Sequence, residues 1–382
     1  MAGSTYLDHA ASSPMVAEAA RAMAGLLERP GNPSSLHASG RAARRALEDA
    51  RESLAADLGA RPAEVVLTSG GTEANNLAII GAALAAKAAG RPMHVVTTAI
   101  EHKASLAAAH AVCRLGGRET ILPVDARGLV DLDALDAVLA EGPAVVSVMW
   151  VNNETGVVQP MAEIGARCRA AGVPLHTDAV QAFGKIPVDL EGSGLDLLSV
   201  SAHKLGGPVG IGALVVRRGV TVAPAGFGGG QEARLRSGTV PVALAAGFAA
   251  ASRVAAGRRA AEAERLAGLR DRLIEGTLAT VVDTRANTEA PCSPAIVNLT
   301  FAGVRADDVL LLLDAAGFDA STGSACTAGV HQPSEVLLAM GRTTADASAS
   351  LRFSFGPDTT TGAIDALLGV LPGIVARARS AT

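Results

Sequence analysis

A lysine directly after an apolar segment is the first residue whose type and position could do chemistry. Lys204 follows the β-branched run at residues 197–202 and precedes the turn Gly206-Gly207-Pro208. Ligands of α/β folds bind where buried strands end, and a lysine there loses part of its hydration. Lost hydration lowers the pKa of the amine and makes it a nucleophile toward carbonyl groups. An isolated lysine of this kind is more often a solvated loop residue. The neighbouring residues therefore have to show whether Lys204 belongs to a ligand site.

Two polar residues at other segment ends suit an aromatic ligand. Asp178 ends the apolar run at residues 174–179, where a buried carboxylate needs a cationic or hydrogen-bonding partner. The pyridinium nitrogen of pyridoxal 5'-phosphate is such a partner, and enzymes that use this cofactor bind its aldehyde through a lysine. His102 follows the run at 94–99, where an imidazole could stack on a planar ring. Each residue also has an ordinary alternative, a helix-capping aspartate or a solvated histidine.

A short glycine-containing turn offers a place for a phosphate. Gly71 and Thr72 follow the apolar run at residues 65–69 and open a helix-like stretch. The N–H groups and the dipole at the start of a helix bind phosphate, although the same turn is common without any ligand. Asn153 follows the run at 144–150, and Gln181 follows the same run as Asp178. Together, these residues indicate one ligand that is aromatic, phosphorylated and carbonyl-bearing, namely pyridoxal phosphate.

A cysteine and an arginine near the C-terminus could act on a substrate. Cys326 lies in a run of small residues at 321–330, which predicts an exposed, flexible loop and not the buried setting of a structural cysteine. The three other cysteines have no such context. Arg352 lies in the apolar segment 351–355, where it would either clamp a carboxylate or form a structural ion pair.

Apolar runs alternate with helix-like stretches over the first 240 residues. The runs lie at 65–69, 94–99, 144–150, 174–179, 197–202 and 212–217, with helix-like stretches such as 72–89, 103–115 and 161–171 between them. Near-continuous apolar runs indicate strands covered on both faces, and this spacing indicates a mainly parallel sheet. Later, a helix-like stretch at 242–278 precedes strands at 295–301 and 351–355 around a helix at 306–316. The sequence therefore predicts an α/β fold with a large domain at 14–250 and a small α+β domain formed by 1–13 and 251–382.

Length and composition exclude several classes of protein. The chain has 382 residues, of which 49% are hydrophobic and 18% charged, so it can bury a sizeable core. A net charge of −4 without a basic run argues against direct nucleic-acid binding. Four scattered cysteines indicate neither disulfides nor a metal site. Without a signal-peptide core or an apolar run of about 18 residues, we expect a cytoplasmic protein that makes no membrane contact.

With these residues, the chain resembles the cysteine desulfurases of the class V aminotransferase superfamily. The resemblance runs from Tyr6-Leu7-Asp8-His9-Ala10-Ala11 to Leu351-Arg352-Phe353-Ser354 and includes segments 31–37 and 234–239. The Gly-Ser-Ala-Cys-Thr sequence around Cys326 is typical of the group with the longer catalytic loop. The resemblance implies the type I fold of pyridoxal phosphate-dependent transferases, with a large α/β/α domain and a smaller α+β domain.

The resemblance also implies a role for each residue that would face the cofactor. Lys204 would bind its aldehyde, Asp178 its pyridinium nitrogen, and His102 would stack on its ring. Asn153 and Gln181 would bind its phenolic oxygen. The phosphate would be held by Gly71, Thr72, Ser201 and His203, and by Thr239 of a neighbouring subunit in a homodimer.

The implied activity is the conversion of L-cysteine to L-alanine. Arg352 and Asn32 would bind the substrate carboxylate, Lys204 would move a proton, and Cys326 would capture the sulfur as a persulfide. An acceptor protein, either an iron–sulfur cluster scaffold or a tRNA-thiolating enzyme, would then receive the sulfur. A selenocysteine lyase or another class V aminotransferase is the alternative on the same scaffold, although a transaminase needs no thiol. A sulfur-relay protein without turnover is less consistent with the presence of both Lys204 and Cys326.

Overall fold

Short, apolar and β-branched segments form the strands of the protein, and alanine- and leucine-rich stretches form its helices. The computed structural model describes residues 4–323 and 332–381. Its strands are β1 (Thr5–Tyr6), β2 (Val65–Thr68), β3 (His94–Thr98), β4 (Arg118–Leu122), β5 (Val145–Ser147), β6 (Leu175–Asp178), β7 (Leu197–Ser201), β8 (Gly212–Val216), β9 (Thr284–Ala286), β10 (Ile296–Phe301), β11 (Phe318–Asp319) and β12 (Ser350–Ser354). Its helices are α1 (Ala17–Leu27), α2 (Ala38–Leu58), α3 (Gly71–Ala88), α4 (Lys103–Arg114), α5 (Leu132–Leu139), α6 (Met161–Ala171), α7 (Val242–Thr280), α8 (Ala306–Ala315), α9 (Glu335–Ala339), α10 (Thr344–Ser348) and α11 (Thr361–Ser380).

Within the described residues, seven strands form the main sheet in the order β2-β8-β7-β6-β5-β3-β4. β8 runs antiparallel to both of its neighbours, and the other neighbouring strands are parallel. The carboxyl ends of β2, β3, β5, β6 and β7 therefore lie along one edge of the sheet. Because α/β folds bind their ligands at this edge, we expect a ligand site there.

Helices cover both faces of the main sheet, as its near-continuous apolar strands predict. On one face, Val66, Val95 and Leu214 pack against α3 and α4. On the other face, Leu67 and Val96 belong to a larger core with α2, α6 and the first part of α7. Adjacent strand residues thus point toward opposite faces of the sheet, and helices cover both, which explains why the strands lack a polar face.

A second core surrounds the three-stranded antiparallel sheet β9-β10-β12. Apolar side chains of β10 and β12 pack there with α8, α11 and the last part of α7. β1 pairs with β11, and Asp8 bridges to Ser354, so the N-terminal segment joins this core. The 39-residue helix α7 contributes Phe248 to the larger core of the main sheet and Leu273 to the second core. It therefore connects the two cores.

The predicted α/β class with a mainly parallel sheet is confirmed, while individual elements differ from the sequence pattern. β4 was missed because it is an edge strand whose residues are largely exposed or half-buried, so it has no apolar run. The stretch at 242–278 forms one helix. The division into domains at 1–13, 14–250 and 251–382 stays a prediction.

One described helix, α11, is long and apolar enough to cross a membrane by length and composition alone. In this fold its residues Ile364, Leu367, Leu371 and Val375 are buried in the second core. The apolar face of α11 therefore has a packing partner within the chain.

Candidate active site

A cavity of about 440 Å³ opens at the carboxyl edge of the main sheet. Small-molecule and cofactor sites commonly have this volume. Its cofactor wall consists of residues at or after the ends of strands in the main sheet, namely Gly71, Thr72, His102, Asn153, Asp178, Gln181, Ser201, His203 and Lys204. Its loop wall consists of Arg352 and the chain on either side of residues 324–331, namely Ser321, Gly323, Gln332, Pro333, Glu335 and Val336. Of the predicted site residues that the structure describes, it thus brings together all except Asn32 and Thr239; Cys326 lies outside the described residues.

Lys204 ends a short 3₁₀ turn (Ala202–Lys204) that follows β7. Its Nζ donates hydrogen bonds to the backbone oxygens of Ala10 at 2.6 Å and Ala11 at 2.7 Å. Burial, followed by the charge of Arg352, lowers the pKa of Lys204 to about 8. A larger share of the amine is therefore neutral near pH 7, and the neutral amine is the form that attacks a carbonyl.

Asp178 is the last residue of β6 and is 4% exposed. Its Oδ2 accepts a hydrogen bond from Nδ2 of Asn75 at 2.6 Å, and its Oδ1 accepts one from the backbone N–H of Val180 at 2.9 Å. A carboxylate has about four acceptor positions, so Asp178 can accept a further N–H from a ligand in the cavity. A pyridinium nitrogen has the charge and the donor that this position needs.

The start of α3 forms a backbone cradle for an anion. The helix begins at Gly71 without a side-chain cap, so its first N–H groups have no partner within the helix. A Cβ at Gly71 would lie 2.8 Å from Cγ2 of Val180 and 3.7 Å from Cβ of Ser201, so a larger residue does not fit without a shift. The exposed N–H groups, the helix dipole and the nearby serine suit a phosphate.

The two histidines of the cofactor wall have different partners. His102 precedes α4, and its Nδ1 accepts a hydrogen bond from the backbone N–H of Ala104 at 3.1 Å, which fixes the orientation of the ring. Nδ1 of His203 lies 3.4 Å from Oγ of Ser12. Burial, followed by the charge of Lys204, lowers the pKa of His203 to about 4, so this imidazole is neutral near pH 7.

Arg352 lies in β12 and is buried. Its Nη2 donates to Oδ1 of Asp8 at 2.6 Å, and its Nη1 donates to the backbone oxygen of Asn153 at 2.9 Å. Its Nε is buried and has no hydrogen-bond partner in the part of the chain that the structure describes. Arg352 therefore forms the structural ion pair that the sequence left open, and it also lines the cavity.

Glu154 lies beside both chain segments that flank residues 324–331. Its Oε2 accepts a hydrogen bond from Oγ of Ser334 at 2.5 Å, and a Cβ at Gly323 would lie 3.3 Å from the same oxygen. Burial raises the pKa of Glu154. Cys326 lies outside the described residues, three positions after Gly323, which lines the cavity.

Asn32 and Thr239 lie on exposed parts of the chain and do not line the cavity. Oδ1 of Asn32 accepts a hydrogen bond from the backbone N–H of Ser34 at 2.9 Å. Gly238, next to Thr239, donates its backbone N–H to Oε1 of Gln231 at 2.9 Å. The roles that the resemblance implies for Asn32 and Thr239 stay predictions.

Sequence reasoning missed several residues that shape the cavity. Asn75, Glu101 and Glu154 line it, and Nζ of Lys185 donates to Oε1 of Gln181 at 2.6 Å. Burial raises the pKa of Glu101 to about 8. Glu101 and Glu154 each directly adjoin a predicted site residue, and Lys185 follows Gln181 by four positions. Local spacing therefore contained a signal for three of these four residues.

The family model for class-V aminotransferases matches residues 5–367 of this chain. The chain belongs to the class-V aminotransferase family. An IscS-like cysteine desulfurase of Mycobacterium tuberculosis (strain ATCC 25618 / H37Rv) is 49% identical to it, over 98% of this chain and 97% of the relative. The predicted relationship to the cysteine desulfurases of this family is thereby confirmed.

Solved structures of related proteins have the same fold as this class-V aminotransferase family member. A NifS-like protein matches it with a TM-score of 0.91 and 32% identity, over 98% of this chain and 100% of the other. The protein SspA, solved in complex with cysteine, matches with a TM-score of 0.81 and 33% identity, over 93% of this chain and 100% of the other. The predicted fold of pyridoxal phosphate-dependent class V enzymes is confirmed.

Membership of the class-V aminotransferase family implies pyridoxal phosphate as the cofactor. The cofactor wall fits this group, because it has an amine for the aldehyde at Lys204 and a carboxylate for the pyridinium nitrogen at Asp178. It also has an anion cradle at the start of α3. These three features face one cavity, as one cofactor molecule requires.

Proposed function

We propose that this protein is a pyridoxal phosphate-dependent cysteine desulfurase, which converts L-cysteine to L-alanine and captures the sulfur as a persulfide on Cys326. One observation carries the proposal. The amine of Lys204 lines the same cavity as both chain segments that flank residues 324–331. The relationship to cysteine desulfurases supports the same activity.

The cofactor wall would hold pyridoxal phosphate at three points. When bound, this group supplies an electron sink for negative charge on the substrate carbon next to the amine. Asp178 would accept the pyridinium N–H, and the N–H groups at the start of α3 would hold the phosphate together with Thr72 and Ser201. His102, whose ring is fixed through Ala104, would stack on the planar ring.

Lys204 would act both as the attachment point and as the base. The backbone oxygens of Ala10 and Ala11 hold its Nζ at the cavity. A pKa of about 8 leaves about a tenth of the amine neutral at pH 7, whereas an ordinary lysine is almost fully charged. Neutral Nζ can accept a proton from the substrate carbon, hold it and return it.

Arg352 would bind the substrate carboxylate. Asp8 and the backbone oxygen of Asn153 hold two of its nitrogens, so the guanidinium is fixed before a substrate arrives. A charged hydrogen bond from Arg352 to a carboxylate in a buried site is short and directional. Binding there would keep the substrate between the cofactor wall and the loop wall.

Cys326 would take the sulfur from the substrate. It lies three residues after Gly323, so a fully extended chain could carry it about 10 Å from a residue that lines the cavity. Its thiolate would attack the substrate sulfur, so that a sulfur–sulfur bond forms and the carbon–sulfur bond breaks. The carbon keeps the electron pair and takes a proton, which yields alanine and leaves a persulfide on Cys326.

The protein would act as a cytoplasmic homodimer that passes sulfur to an acceptor protein. Thr239 is exposed and lies outside the cavity of its own chain, which is consistent with a role at a neighbouring subunit. The outer sulfur of a persulfide can be attacked by an acceptor thiol. An iron–sulfur cluster scaffold and a tRNA-thiolating enzyme are the acceptors that we propose.

Intact-mass measurement after incubation with L-cysteine tests the activity. The yellow holoenzyme should gain the mass of one sulfur atom, lose it again on treatment with a thiol reductant, and release alanine. Cys326→Ser should keep the yellow colour but gain no sulfur and release no alanine. Cys292→Ser is the matched control, because Cys292 does not line the cavity and its Sγ accepts a hydrogen bond from Arg270 at 3.3 Å. A colourless wild type, or normal turnover in Cys326→Ser, would contradict the proposal.

A further inference from the structure

Lys185 is a half-buried lysine for which the proposed chemistry has no role. It lies in the turn that follows β6, four residues after Gln181. Gly184 in this turn has a φ of 77°, and a Cβ there would lie 2.8 Å from Cδ2 of Leu205. The turn therefore packs directly against the residue that follows Lys204, and it holds Lys185 and Gln181 beside the cofactor wall.

Three hydrogen bonds connect Lys185 to Lys204. Nζ of Lys185 donates to Oε1 of Gln181 at 2.6 Å, and Nε2 of Gln181 donates to the backbone oxygen of Ala10 at 2.9 Å. Nζ of Lys204 donates to the same oxygen of Ala10 at 2.6 Å. Because Gln181 is only 4% exposed, bulk water cannot easily replace these partners.

The donors and acceptors in this network determine which way the Gln181 amide points. The ammonium group of Lys185 can only donate, so it requires the amide oxygen. The carbonyl of Ala10 can only accept, so it requires the amide NH₂ group. Rotation of the amide by 180° would place NH₂ against the ammonium group and oxygen against oxygen, and both contacts would be lost.

We propose that Lys185 is a positioning residue, which fixes the Gln181 amide so that its NH₂ group lies on the side of the cavity. The inference rests on the proposed function, in which Gln181 binds the phenolic oxygen of pyridoxal phosphate. That oxygen needs an N–H donor, and a rotated Gln181 would present a second acceptor instead. Lys185 therefore contributes to cofactor affinity without touching the cofactor.

The charges around Lys185 are compatible with this role. Burial, followed by the charges of Lys204 and Arg352, lowers the pKa of Lys185 to about 7. Its amine therefore changes its charge close to neutral pH. The charged amine can only donate, whereas the neutral amine can also accept, so Lys185 orients the Gln181 amide most strongly in its charged form, while the carbonyl of Ala10 requires the NH₂ group in either state.

A double-mutant cycle with Lys185→Met and Gln181→Ala tests the proposal. Methionine has a similar length but no donor, and it removes a charge that is costly to bury. In otherwise wild-type protein, Lys185→Met should raise the dissociation constant for pyridoxal phosphate about three- to tenfold, the loss expected for one hydrogen bond. In the Gln181→Ala background, the same change should raise it less than about twofold, because Lys185 then has no amide to orient. The dissociation constant is measured by titration of apo-protein, followed by the absorbance of the bound cofactor.

Lys185→Arg is the conservative control, since it keeps a donor, and its affinity should stay within about twofold of the wild type. Thermal unfolding of each variant reports any purely structural effect. An equal loss of affinity in both backgrounds, or unchanged affinity in Lys185→Met, would overturn the role of Lys185. A wild-type protein that binds no pyridoxal phosphate would instead overturn the proposed function, so the two failures are distinguishable.

Discussion

The cofactor wall and the loop wall face each other across one cavity, but they are built in different ways. The cofactor wall consists of residues at or after the ends of strands in one sheet. Asp178, for example, is the last residue of β6, and Asn75 and Val180 donate to its carboxylate. The loop wall has a single strand residue, Arg352, and its remaining residues belong to the chain on either side of 324–331.

The two walls differ in the kind of interactions that hold them. A residue at a strand end can move only if the sheet and its two covering helix layers move with it, which requires a large part of the fold to open. The chain segments of the loop wall are held instead by contacts of individual residues: Ser321 exchanges two backbone hydrogen bonds with Arg352, and Oγ of Ser334 donates to Glu154. The cavity thus combines a wall placed by one sheet with a wall placed by contacts of separate chain segments.

Lys204→Ala should have the largest effect, because it removes the amine of the cofactor wall. We expect the yellow colour of the covalently bound cofactor to disappear and alanine formation from L-cysteine to fall by at least about a thousandfold. Absorbance spectra and an alanine assay measure the two effects, and circular dichroism checks the fold. Retained colour with normal turnover would show that another amine binds the cofactor.

Arg352→Ala should impair the loop wall and leave the cofactor wall intact, since it removes the cation of the loop wall. The colour should persist, while kcat/KM for L-cysteine falls about a hundredfold through the loss of a charged hydrogen bond to the carboxylate. Asp8→Asn is the matched control, because it weakens the ion pair but keeps the guanidinium. If kcat/KM fell equally in both variants, the loss would come from the broken ion pair and not from the lost contact with the substrate carboxylate.

The pH dependence of cofactor capture by apo-protein should report the environment of Lys204. Its folded-state pKa is lowered to about 8, so the neutral amine rises about tenfold from pH 7 to pH 9 and then levels off. An ordinary lysine would instead gain about a hundredfold over this interval without a plateau. Stopped-flow absorbance distinguishes the two curves, and a continued rise above pH 9 would refute the lowered pKa.

Ser334→Ala should have the smallest effect and should be confined to the loop wall. Ser334 donates to Glu154 and also caps α9 by accepting from the N–H of Leu337 at 3.1 Å. We expect a loss of about 1 kcal/mol in the free energy of unfolding and a modest decrease in persulfide formation, with unchanged colour. Thr360→Ala is the control, because it removes the cap of α11 and should reduce stability alone. Equal persulfide formation in both variants would argue against a role for the Glu154 contact.

The cofactor wall could be predicted residue by residue because each of its members follows a feature that is local in sequence. Asp178 lies at the end of an apolar run, Lys204 and His102 come two and three residues after one, and parallel strands bring the ends of such runs to one edge. The residues of the loop wall were harder to predict from the sequence. Cys326 could be singled out by the small residues around it, whereas nothing local distinguished Ser334 as a partner of Glu154, 180 residues earlier in the chain.

The sequence by itself determined six of the seven strands of the main sheet, the edge at which polar residues collect, and the types of group available there. These features depend on short-range periodicity and on which residues follow each apolar run. Only the tertiary structure decided that Asp8 pairs with Arg352, 344 residues away, and that the carbonyl of Ala10 accepts from both Gln181 and Lys204. Such contacts arise from the way the N-terminal segment packs between the two cores, and no pattern of neighbouring residues encodes that packing.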